Sequence, residues 1–285
     1  MKNIPVSAMI GLFLTALYFL TALFAPLIAP YGVAEVVGDV WEPSKVEILL
    51  GIAPEGFTES DYWLGTDNIG RDLLSRMIYG GRTTIFIATP ATIISFTTGS
   101  ILGFVAAVLG GWFDQVMSRF VDLIMSIPTL IFALVVLSVM PVTIPMLIIV
   151  MGLLDATRVY RLARAVAVDI SVMDYVEAAR LRGEKLAWIV FREILPNALS
   201  PLVAEMGLRF IFAVLFVSTL SFLGLGVQPP EADWGGIVKE NKDGIIYGIP
   251  AALIPAFAIA TLAISVNLVA DWVLNRTTSL KGGRG

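Results

Sequence analysis

Runs of about 20 apolar residues recur along this chain, and that is the length a helix needs to cross the hydrocarbon of a bilayer. Six are read: 6–29, bracketed by Pro5 and Pro30; 84–109; 120–139; one that begins near Pro141 and continues through Gly152 into a more polar helix; 199–225; and 250–274. Composition agrees, because 57% of the residues are hydrophobic and only 15% charged. In water such a chain would expose large apolar patches. The expected fold class is therefore all-α and integral to a membrane, with six transmembrane helices. The first run is long and no small-residue cleavage site follows it, so it is read as retained rather than as a signal peptide.

Lys and Arg set the orientation of such a bundle. With the N-terminus inside, twelve basic residues fall on the inner side: Lys2, Arg119, the seven from Arg158 to Arg192, Arg276, Lys281 and Arg284. Six fall outside: Lys45, Arg71, Arg76, Arg82, Lys239 and Lys242. The asymmetry predicts that both termini are cytoplasmic in a multi-pass protein of the cell membrane. Cys and His are both absent. That excludes disulfides, thiolate metal sites, and the usual general base at neutral pH. No catalytic, metal or cofactor site is expected on the chain, and no nucleic-acid partner.

The connection 174–197, DYVEAARLRGEKLAWIVFREILPN, is the most charged long segment. Apolar Val172, Val176 and Ala179 have helical spacing. Gly183 suits a helix C-terminus, where the left-handed backbone suits a residue without Cβ. Leu186, Ile189, Val190 and Ile194 restart the helix, and Pro196 is expected to close the hairpin. Ala178 and Ala179 are small enough to let another surface approach, and Glu177, Arg180, Arg182 and Lys185 would supply its polar rim. The residues alone leave two readings open: a helix docked in a groove of a soluble partner, and a solvated amphipathic loop.

Glu177-Ala178-Ala179, then Gly183, then Leu195-Pro196 resembles the signature of ABC importer permeases. LGTDNIGRDLLSRMIYGGR (64–82), GGWFDQVMSRFVDLIMSIPTLIFAL (110–134), DYVEAARLRG, FREILPNAL and LSFLGLGVQPPEADWG (220–235) follow in order. Together they resemble the C-type permease of the dipeptide, oligopeptide and nickel transporters. The resemblance implies the type I importer permease fold. It implies a first helix with a cytoplasmic N-terminus at 1–30, an extracytoplasmic segment at 31–83, and a permease core at 84–285 carrying a coupling hairpin at 170–197. Asp174, Tyr175, Glu177, Ala178, Ala179, Arg180, Gly183, Leu195 and Pro196 would couple to an ATPase. The implied partners are a B-type permease forming a heterodimer, two cytoplasmic ATPases holding ATP and Mg, an extracytoplasmic solute-binding protein, and membrane lipid. The chain has no GxxxxGK[ST] of its own, so it is not expected to be an enzyme. The cargo would be di- or oligopeptides, with oligosaccharides or nickel as alternatives; a structural subunit of a membrane enzyme complex is the alternative of another class. Three departures stand out. Leu181-Arg182-Gly183 replaces Ala-Leu-Gly, NRTTSL replaces an Asp-Pro-Arg ending, and Val217 stands where relatives often carry Glu.

Charges within apolar runs are costly and mark paths or internal pairs. Glu205 and Arg209 share a helix face in the favourable order, so they either line the translocation path or neutralise each other. Asp122 is expected to pair with Arg119, and Asp271 with Arg276 at the inner boundary. Asn267 would hold helices together or line the path, and Pro128 would kink the third run. Outside, Asp67 is expected to cap the following helix, with Gly65 and Gly70 permitting tight turns. Arg71 and Asp72 would pair locally, and Trp234 would sit at the membrane interface. These four are the candidates for an outer mouth.

Overall fold

The computed structural model describes residues 4–53 and 57–282, with the backbone alone for 277–282. Lys2 and Arg284, counted above for orientation, lie outside the described residues, as does the side chain of Lys281. Among the described residues the chain is helical, and extended pairing is confined to two isolated bridges, Val36 with Arg71 and Thr66 with Asp72. The helices are α1 (Val6–Leu23), α2 (Ala25–Ile28), α3 (Lys45–Leu49), α4 (Leu73–Leu109), α5 (Gly111–Ser126), α6 (Thr129–Val139) and α7 (Ile144–Ser171). They continue with α8 (Asp174–Leu181), α9 (Leu186–Trp188), a π-helical stretch (Ile189–Ile194), α10 (Leu195–Leu223), α11 (Trp234–Asn241) and α12 (Leu253–Gly282).

Among the described residues four helices are long and apolar enough to cross a membrane: Val6–Leu23, Leu73–Leu109, Leu186–Leu223 and Pro250–Arg276. A bent pair, α5 with α6, makes a fifth. The third apolar run is thus two helices at 83° rather than one kinked helix. Pro128 lacks an N–H and pushes the preceding residue out of the helical region; Ile127 is accordingly extended, with ψ of 129°. Helix α7 has the length to span, but it carries Asp155, Arg158, Arg161, Arg164 and Asp169.

Pro196 does not close the hairpin, which is a correction to the local rule. The chain runs helically from Leu186 to Leu223 straight through it. The π stretch immediately before Pro196 is what allows this. A wider turn shifts the hydrogen-bond register around a residue that cannot donate, and the Asn197 side chain donates to the Glu193 carbonyl at 2.7 Å. The second arm of the hairpin is therefore the first turns of the fifth apolar helix.

The most intimate packing joins α4 to α7. Gly99 and Gly103, one turn apart on α4, let the backbones touch. A Cβ at Gly99 would lie 2.6 Å from the Ala156 carbonyl, and one at Gly103 would lie 2.8 Å from that of Tyr160. These contacts also show that α4 and α7 run parallel. Arg180 of α8 reaches the Val108 carbonyl, near the end of α4. Helix α8 therefore sits at the opposite end of the bundle from the residues that start α4. Gly11 meets Ser265 and Tyr18 meets Thr261, so α1 and α12 are antiparallel. Tyr18 also packs edge-on against Trp234, with ring centroids 5.6 Å apart, at the α4-start end. Helix α1 thus begins, and α12 ends, at the end bearing α8.

Candidate functional site

Helix α8 is anchored on one face and free on the other. Val176 and Ala179 are fully buried against Ala163, Ala167 and Ile170 of α7, Phe104 of α4, and Ile189, Val190 and Ile194. Full burial of a Val side chain is worth about 1.5–3 kcal/mol, enough to hold a two-turn helix against its own bundle. Asp174, Tyr175, Glu177, Ala178, Arg180 and Pro196 are exposed, and Leu195 is half-buried. Of the two small residues, only Ala178 faces outward; Ala179 serves the internal contact. Gly183 has φ of +79° with nothing near an added Cβ. Its N–H donates to Arg180 and that of Glu184 to Ala179, the double bond of a left-handed helix terminus. Gly183 is needed for its backbone conformation rather than for close approach.

Halfway along α4, α7 and α10 lies a layer of charge. Asp155 accepts from Ser95 at 2.9 Å and pairs with Arg209 at 3.4 Å and Arg158 at 3.7 Å. Arg209 also pairs with Glu205 one turn earlier. Arg158 donates to the Thr129 hydroxyl at 3.0 Å, just after the Pro128 break. Beside this layer is a cavity of about 350 Å³, walled by Ala91, Thr92, Met151, Phe212, Ala213 and Phe216 and reached by Asp155, Arg158 and Thr129. Of the path candidates, Glu205 and Arg209 belong to this layer. Asp122 does not: it pairs at 2.5 Å with Arg161 of α7 rather than with Arg119, because α5 folds back along α7. Asn267 is half-buried on α12 and does not line the cavity.

At the other end Asp67, Arg71 and Arg76 form a closed knot with Glu240 of α11. The Asp67 carboxylate takes Arg71 Nε and Arg76 Nη1, each at 2.6 Å, and Glu240 takes the same two guanidiniums. Asp67 and Arg76 are essentially fully buried. Burial alone would push the Asp67 carboxyl up. The N–H groups of Arg71 and Ile69 and the charges of Arg76 and Arg71 outweigh it and hold the group below the usual carboxylate range. The helix cap is a correction: Asp72, not Asp67, accepts from the Ser75 N–H, at 2.8 Å. Gly70, at φ +83°, passes so close to Gly38 that a Cβ would lie 2.1 Å from its carbonyl. Trp234 does not face outward from the bundle. It is buried in the core, donates to the Met77 carbonyl at 3.0 Å, and fills the space left by Gly81.

Residues 99–279 match the family of binding-protein-dependent transport system inner membrane components. The chain belongs to that family. It is a multi-pass inner-membrane permease, and the resemblance carried by the sequence motifs holds. It is 32% identical over 263 residues to the di/tripeptide transport system permease protein of Pseudomonas aeruginosa, covering 92% of this chain and 84% of that one. It is 31% identical to the dipeptide transport system permease protein of Haemophilus influenzae, covering 93% and 87%. Against the oligopeptide transport system permease protein of Bacillus subtilis it is 30% identical, covering 93% and 82%.

In this permease the sequence reading missed Asp155 and counted Arg158 only as a basic residue on the inner side. Both lie inside α7, and the available signal was their spacing: Asp155, Arg158, Arg161 and Arg164 recur every three residues along a ridge that winds round the helix. Arg164 pairs with Asp114 of α5, so the lower part of the ridge fastens α5 to α7. Val217, standing where relatives often have Glu, is fully buried among Ile87, Ala91 and Leu220.

Proposed function

We propose that this permease forms, with a homologous B-type permease, the path of an ATP-driven importer for di- and oligopeptides. In this reading a solute-binding protein delivers the cargo on the outer side, and two ABC ATPases work from the cytoplasm. Six segments span, with α7 as the sixth, and both termini are cytoplasmic. The relatives named above transport peptides, which supports the cargo class.

The observation that carries the reading is the two-faced α8. Its buried face is keyed into α4, α7 and the start of the Leu186–Leu223 helix. Its outward face offers Tyr175, Glu177 and Ala178. A push on that face is transmitted to three long helices at once, because packed interiors yield little. A solvated loop has no reason for such a mount.

Reconstitution tests this. Proteoliposomes holding both permeases, both ATPases and the binding protein should take up a labelled dipeptide only with ATP. Uptake that persists without the ATPases would end the importer reading, and a complex that carries a sugar but no peptide would end the peptide reading.

A further inference from the structure

The charged layer offers four ionised groups, but they are not equally engaged. Glu205 is held by Arg209. Arg209 is shared between Glu205 and Asp155 and stacks on Phe212 with its guanidinium 5.6 Å from the ring centroid. Asp155 is held from three sides, by Ser95, Arg209 and Arg158. Arg158 is the exception. It makes one hydrogen bond, to Thr129, and stands 3.7 Å from Asp155, beyond hydrogen-bonding distance. Its side chain is 37% exposed, against 16% for Arg209. It also lines the cavity, whereas Glu205 and Arg209 do not.

A guanidinium presents a planar fork of donors that fits a carboxylate two-on-two. In a site of reduced polarity such a fork with one firm partner gains most from an anionic ligand. We propose that Arg158 is the point at which this permease engages the free α-carboxylate of a peptide crossing the membrane. Thr129 steers the fork towards the cavity, and the long contact to Asp155 is surrendered as the cargo arrives. Asp155 keeps Ser95 and Arg209 throughout, so no carboxylate is left bare. The walls of Ala91, Met151, Phe212, Ala213 and Phe216 are apolar, and the Thr92 hydroxyl beside them donates to the Ala88 carbonyl at 2.8 Å. The grip is therefore on a group every linear peptide carries, and it is indifferent to sequence. This rests on the peptide reading above and adds the chemical group recognised.

The test uses the assembled transporter in proteoliposomes with its binding protein. Uptake of a labelled dipeptide is compared between wild type and Arg158→Gln, Arg158→Lys and Arg158→Cys, with co-purification of the partner chains as the check on assembly. We expect at least a tenfold fall for Arg158→Gln and partial recovery in Arg158→Lys. The chain has no native cysteine, so Arg158→Cys can be recharged chemically. A cationic methanethiosulfonate should restore uptake and an anionic one should not, and a dipeptide in excess should slow the labelling. Assembled Arg158→Gln transporting at the wild-type rate, or recovery that ignores the sign of the reagent, would overturn the proposal. Failure of the peptide reading is a different result: the wild type itself would carry no peptide.

Discussion

The knot at the α4-start end and the layer halfway along α4, α7 and α10 are built from the same chemistry, two arginines and two carboxylates, and differ in closure. In the knot, Asp67 and Arg76 are 0% and 1% exposed, and each guanidinium bridges both acids. In the layer, Asp155 and Arg158 are 21% and 37% exposed beside a cavity, and their contact is long. Closed networks hold position, because removing any member strands a buried charge. An open network has spare donors. The knot ties residues 67–76 to α11, with Trp41 Nε1 and the Asn68 N–H both donating to the Asn241 side-chain Oδ1, while in the layer Arg158 keeps one hydrogen bond, to Thr129.

Breaking the knot should have the largest effect. Arg76→Met leaves the buried Asp67 carboxylate with Arg71 as its one cationic partner, at a cost of about 3–5 kcal/mol, read as a strongly lowered melting temperature in detergent. A fall no larger than that from an exposed substitution would mean that the knot is not closed. The layer should respond less and in a coupled way. Arg209→Met strands Glu205, and adding Glu205→Gln should restore part of the loss, with a coupling of roughly 0.5–3 kcal/mol in a double-mutant cycle. Strict additivity would dissolve the distinction between the two networks.

A pH slope at the α4-start end is a separate test. Asp233 caps α11 by accepting from Gly235 and Gly236. Burial raises its carboxyl from 3.8 to about 7, against hydrogen bonds from Ser221, Gly235 and Gly236, with the Glu240 charge adding to the rise. Between those two values the folded chain holds a proton that the unfolded chain has lost. Stability therefore declines as pH climbs from about 4 to 7 and is flat beyond. Asp233→Asn should flatten that slope when melting temperature is followed across the window. An unchanged slope would place the titrating group elsewhere.

Much of this was readable in the residues. The apolar runs gave the helices, and Gly183 sits in the left-handed turn its position predicted. The misreadings share a cause, which is that local rules cannot see distant partners. Pro196 breaks an ordinary helix but not one preceded by a π turn. Asp122 finds Arg161 rather than its neighbour Arg119 because α5 doubles back. Trp234 turns into a pocket created by Gly81, far away in sequence. Asp155 escaped notice because the fourth apolar run loses its apolar character over the stretch of α7 where Asp155 faces Ser95 of α4 and Arg209 of α10.

The central proposal is mechanical: α8 is the point at which an ATPase would push on this permease from the cytoplasmic side. Ala178→Cys, in a chain with no other cysteine, tests it most directly. In the assembled transporter this cysteine should form a disulfide with a cysteine placed in the docking groove of the ATPase, and in intact cells it should resist a membrane-impermeant maleimide. Labelling from outside the cell, with no cross-link to the ATPase, would contradict the account.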